Sequence, residues 1–343
     1  MMSKLFSLVL FFSFTLSFSQ PQVVDLQPTD NVPNIVFNTL DANSNSADTI
    51  VFNFNTGVYN VTTINVAGSS SSTPPAKIIF KSNDNNKDSV IIRSTDNFVF
   101  NIMSSNVSLQ DITVESVDNG YYQTVTYINA SYPTYQADSL SFTNCKFIAN
   151  ITGDCFGKTT SYSYNNFSFN NCEFINGITA IDFSYVTNLR ITNSTFFNQT
   201  AKNLNLNDIT NLKVENNLIN LPVGSLFNED FAYGLYLNYV YADMYYSDGI
   251  TSISNNKILG NTNHLAYKAI YMENCYNYGA KFIVSNNIFD IQNDSLIYGI
   301  ELMDATSQPK NINSDKSTKT VENINFINNS FNLMSSDSAI CLS

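Results

Sequence analysis

The chain has 343 residues, 43% of them hydrophobic and only 13% charged, with a net charge of −12 and no basic cluster. That balance excludes an electrostatic grip on nucleic acid or on an anionic membrane, and the apolar content suffices for one large core. Five cysteines with no CxxC pair are too sparse for a disulfide-stapled mini-domain and lack zinc-site spacing.

In chain order, residues 1–19 read as a secretory signal peptide. Lys4 precedes an apolar run to Phe18, and Ser17 and Ser19 are small residues placed for cleavage before Gln20. The run is short for a membrane span, so a protein without a span, secreted or held at the cell surface, is expected. Residues 20–47 form a lead-in, with residues 32–43 predicted as a short cap over the N-terminal end of the main domain. From residue 48, "ADTIVFNFNTGVYNVTTINV" reads as a strand, a turn at Gly57-Val58-Tyr59 and another strand. "AGSSSSTPP", "SNDNNKDS" and "SQPKNINSDKSTKT" are plain loops.

A phrase then recurs: φ-x-φ-x-Asn-[Asn/Cys/Ser]-x-φ, with φ apolar in nearly every copy. It spans residues 140–147, 167–174, 189–196, 212–219, 251–258, 282–289 and 324–331, and a looser relative covers 107–114. The first Asn positions are spaced by 27, 22, 23, 39, 31 and 42 residues, which are units of a solenoid with inserted loops. Period-two alternation makes each φ-x-φ a strand with one buried face. Asn tolerates a left-handed corner, and stacked Asn amides can pass hydrogen bonds from turn to turn. Which Asn of each pair makes the column is left open. Cys145 and Cys172 share one slot and are read as buried, stacked thiols in preference to a disulfide. A second strand precedes most phrases, at residues 181–184, 204–207, 235–238, 270–273, 300–303 and 340–343, so a unit has two or three strands.

From residue 48 onward these repeats resemble the right-handed parallel β-helix of the pectate-lyase-like superfamily. The fold expected is all-β, a single right-handed parallel β-helix with loop insertions over residues 48–343. A leucine-rich horseshoe would need a Leu scaffold, and a β-sandwich would not explain the Asn register. The final strand shows no cap, which a solenoid end normally carries, so the chain reads as a fragment, a lone domain or a coil covered by a partner.

In that superfamily, ligands lie along one outer sheet. Alternation gives the second strand two outward columns: Asp182, Asn205, Tyr236, Tyr271, Glu301 and, beside it, Ser184, Asn207, Asn238, Glu273, Met303. Rungs about 4.8 Å apart would make these a strip of aromatic rings, amides and acids suited to sugars. The substrate-binding candidates are Tyr236, Tyr271, Asn205, Asn238 and Tyr276, with residues 227–249 as a tyrosine-rich insertion walling the strip. Glu273, Glu301 and Asp182 are the catalytic candidates, as paired carboxylates of a glycoside hydrolase. A polysaccharide lyase would need a base and a cation; Arg190, Lys268 and His264 are available, but none has a family motif around it. No metal site is identified, although Asp and Glu carboxylates could hold calcium. The expected partner is a polysaccharide or cell-surface glycan, bound and, if the acids are catalytic, processed. The alternative is a non-catalytic, adhesin-like surface protein.

Overall fold

The computed structural model describes residues 20–67, 75–117, 122–129, 137–158, 163–224, 231–244, 249–260, 266–303 and 324–343. The leader at residues 1–19, His264 and residues 227–230 and 245–248 of the tyrosine-rich insertion lie outside the described residues. Every strand pairing is parallel, and consecutive rungs stack in register as a right-handed parallel β-helix of three sheets. The first sheet carries the φ-x-φ of the Asn phrase, from Thr49–Phe54 through Tyr164–Asn170 to Asn325–Ile327. The second holds the short strands after the Asn pair, from Gly57–Asn60 to Ser330–Ser335. The third holds the predicted second strands, from Ile64–Val66 through Lys202–Thr210 to Ala339–Leu342.

The lead-in supplies part of this coil. Its strand Gln22–Leu26 pairs with Thr49–Phe54, and the helix Val32–Ala42 lies between them in sequence. The Asn31 side chain accepts the Asn34 N–H at 3.3 Å, and Val32, Val36 and Leu40 are buried at helical spacing.

The two Asn of each phrase divide the work. The first, at Asn144, Asn171, Asn193, Asn216, Asn255, Asn286 and Asn328, takes a φ between 51° and 59° and turns the corner. The second faces inward. Its column runs Cys145, Cys172, Ser194, Asn217, Asn256, Asn287, Asn329. Asn217, Asn256 and Asn287 each donate Nδ2 to the Oδ1 of the next member, at 3.0, 2.9 and 3.0 Å. Each also donates to a carbonyl of the preceding rung. These amides are therefore satisfied inside a core, where an unpaired one would be costly. Asn144 and Asn171 are also in file at the surface, with Asn171 Nδ2 donating to Asn144 Oδ1 at 3.0 Å.

Cys145 and Cys172 are free, buried thiols, as are Cys155 and Cys275. Most of the remaining interior is apolar, with like rings stacked between rungs: Phe142 on Phe169 at 4.7 Å and Phe174 on Phe196 at 4.7 Å. Buried polar side chains there include Asn203, which donates Nδ2 to Gln199 Oε1 at 2.8 Å.

Candidate functional site

The third sheet places the predicted strip in one file. Asp182 pairs with Asn205, Asn205 with Tyr236, Tyr236 with Tyr271 and Tyr271 with Glu301. Ser184, Asn207, Asn238, Glu273 and Met303 form the neighbouring file. A third outward file consists of Thr179, Lys202, Tyr233, Lys268 and Tyr298. The predicted insertion belongs mostly to the β-helix itself: Phe231–Asp243 is one strand of the third sheet that turns a corner at Tyr239, φ 52°, without a loop.

At the downstream end, Tyr236 and Tyr271 stack at 5.1 Å, and Tyr233 stands edge-on to both. Lys202 Nζ lies 4.8 Å from the Tyr236 ring centre. Lys268 Nζ lies 4.0 Å from Phe231 and 4.6 Å from Tyr271, and it pairs with Glu301 Oε2 at 2.7 Å. Glu273 Oε2 accepts from the hydroxyls of Tyr236 and Tyr271, each at 3.4 Å. Burial, with Glu273 next, drives the Tyr271 hydroxyl pKa upward. Both glutamates are thus engaged by groups of this cluster, which builds an aromatic platform. Tyr276 lies around the corner from it, stacked on Tyr241 at 5.4 Å. Arg190 lies on the first sheet, away from the strip.

In the middle, amides link rung to rung. Asn205 donates to Asp182 Oδ1 at 2.8 Å and Asn238 donates to Asn207 Oδ1 at 2.9 Å.

Upstream, the file opens into a cleft of about 350 Å³ lined by Phe98, Tyr122, Thr124, Tyr127, Asp154 and Asp182, among others. Gly157 makes the gap. It precedes Asp182 in the outward file and has no side chain between Tyr127 and that acid. Phe98 and Tyr127 stack at 4.6 Å beside it. Asp154 is 5% exposed. Its Oδ1 accepts the Thr179 N–H at 2.9 Å and its Oδ2 accepts the Tyr122 hydroxyl. Burial, reinforced by the Asp182 charge, lifts the Asp154 carboxyl to about 6, against the opposing pull of the Tyr122 hydrogen bond. Gly153 lets the chain set Asp154 there, because a Cβ at that position would meet Gln123 O at 1.9 Å.

Sequence reasoning identified Asp182 but missed Asp154, Tyr122 and Tyr127. The available signal was "GDCFG", where a Gly stands at the outward slot and an acid stands beside it. Among the described residues no group of three or more His, Cys, Asp or Glu could hold a metal ion, and no helix is long and apolar enough to cross a membrane.

Solved structures similar to this chain include Escherichia coli YbhC, with a TM-score of 0.42 and 11% identity over 98% of this chain and 88% of that one. A second is ORF18 of Geobacillus virus E2, with a TM-score of 0.40 and 11% identity over 93% of this chain and 61% of that one. The pectin methylesterase of Aspergillus niger has a TM-score of 0.33 and 15% identity, over 95% of this chain and 91% of that one. No family model matches the sequence, and no curated protein sequence does. The likeness is one of backbone path, and chemistry has to be read from this chain's own residues.

Proposed function

We propose that the protein is exported, binds a polysaccharide along the outer face of the third sheet and hydrolyses it at Asp154 and Asp182. The observation that carries the reading is the cleft itself. Two acids from neighbouring rungs share it with a stacked aromatic pair, and one of them holds its proton up to about pH 6. Sugar rings pack on aromatic faces while amides and acids bond their hydroxyls, and the strip offers both along its length.

Hydrolysis of a glycosidic bond needs one carboxylic acid to protonate the leaving oxygen and one carboxylate on the opposite side. Asp154 fits the first part, because burial keeps its proton. Asp182, half-buried and bonded by Asn205, fits the second, attacking the sugar or activating water. Downstream, the Tyr236 and Tyr271 platform holds the chain beyond the cleft.

The test is turnover of a polysaccharide panel. New reducing ends without new unsaturation are expected, and Asp154→Asn or Asp182→Asn should lower the rate at least about 100-fold. Tyr236→Ala with Tyr271→Ala should weaken binding. Binding without product would leave a glycan-binding surface protein, and new unsaturated ends would make the reaction a lyase's.

A further inference from the structure

At the edge of the groove, the third sheet turns a corner at a single slot in each rung. Ser184, Asn207, Asn238 and Glu273 align, so the residues after them share that slot: Tyr185, Asp208, Tyr239 and Asn274. All four have positive φ, at 57°, 51°, 52° and 51°. Elsewhere such corners fall mostly to Asn, whose short polar side chain suits the left-handed region. A bulky ring in that region is an outlier. Burial offers little compensation, since Tyr185 is 41% exposed and Tyr239 is 43% exposed. The corner itself does not require a ring, since Asn274 turns it one rung further on.

What surrounds the slot explains the rings. On the sheet side lie the Asn207 and Asn238 amides and the stacked Tyr236 and Tyr271. Past the corner stand Tyr241 and Tyr276, stacked at 5.4 Å. Asp208 occupies the rung between the two tyrosines and accepts from Asn207 Nδ2 at 3.1 Å. Tyr185 and Tyr239 are two rungs apart, about 10 Å along the coil.

We infer that Tyr185 and Tyr239 form an aromatic rail on which sugar rings of the bound polysaccharide stack, with the Asp208 carboxylate between them accepting sugar hydroxyls. The inference rests on polysaccharide binding at the third sheet and extends that site over its edge. Backbone strain retained at two exposed positions is then the cost of a binding surface.

A single pair of substitutions separates a ligand role from a structural one. The Tyr185→Asn, Tyr239→Asn double variant relieves the strain and removes the rings. Its unfolding temperature should rise by about 4 °C. Its signal on an array of neutral and uronate-containing polysaccharides should fall about tenfold. A Tyr185→Phe, Tyr239→Phe variant should keep the wild-type values of both. An unchanged array signal in the Asn variant, or a lower unfolding temperature, would overturn the rail. If Tyr236→Ala with Tyr271→Ala abolishes binding while the Asn variant binds normally, only the rail fails. A wild-type protein that binds nothing on the array overturns the rail and the groove together.

Discussion

Asp154 lies almost out of reach of water, and its carboxyl ionises near pH 6 instead of near 4. The folded state therefore holds this proton more tightly than the unfolded chain does. The stability it contributes is accordingly complete below about pH 4 and is lost as pH rises through 6. Asp154→Asn should thus gain on the wild type between pH 4 and pH 7, by at most about 3 kcal/mol, read from urea unfolding at the two pH values. Activity should follow the same group. The rate should fall above about pH 6, and Tyr122→Phe should move that limb upward, because the lost hydroxyl had favoured the ionised carboxylate. Gly157 offers a second residue-level test. A Cβ there meets nothing closer than Thr124 Cγ2 at 3.4 Å, an ordinary contact. Gly157→Leu should fold normally yet fill the cleft, cutting binding and turnover about tenfold or more in titration and rate assays.

The corner between the first and second sheets assigns its two Asn columns different energies. Asn256 bonds Asn287, the Val214 carbonyl and two donors of Asn217, all within the core. Asn256→Ala leaves those groups unmatched and should cost about 3 kcal/mol in chemical denaturation. Its neighbour Asn255 only turns the chain, at φ 56°, so Asn255→Gly should change stability by less than about 1 kcal/mol. The recurrence of Asn was legible in sequence because a left-handed corner and a stacked core both select it. The division between the two was not, since both positions carry the same letter. The groove strip was legible for the same reason as the coil: alternation fixes which residues face out, and parallel register fixes who stands beside whom. The cleft escaped because the rung at Asp154–Lys158 puts Gly where the pattern expects a side chain. The pairing of Lys268 with Glu301 escaped because it crosses between two outward files, a contact that side-chain reach decides and spacing does not.

Across the whole molecule each rung touches chiefly the rungs above and below, so stability is close to a sum of neighbour terms. Phe169 stacks on Phe142 and meets Phe156, Phe174 and Phe183. Phe169→Ala should cost about 4 kcal/mol, and faster amide exchange should concentrate on the adjoining rungs while distant ones keep their protection. The same layered build gives the free thiols a use. Cys145 and Cys155 are sealed in one rung, Cys172 in the next and Cys275 further along, with acidities pushed well below that of an exposed cysteine by burial. Each reacts with an alkylating reagent only when its own layer opens. The protein thus carries a built-in depth gauge, and pulse labelling followed by peptide mass spectrometry would show in what order the layers come apart.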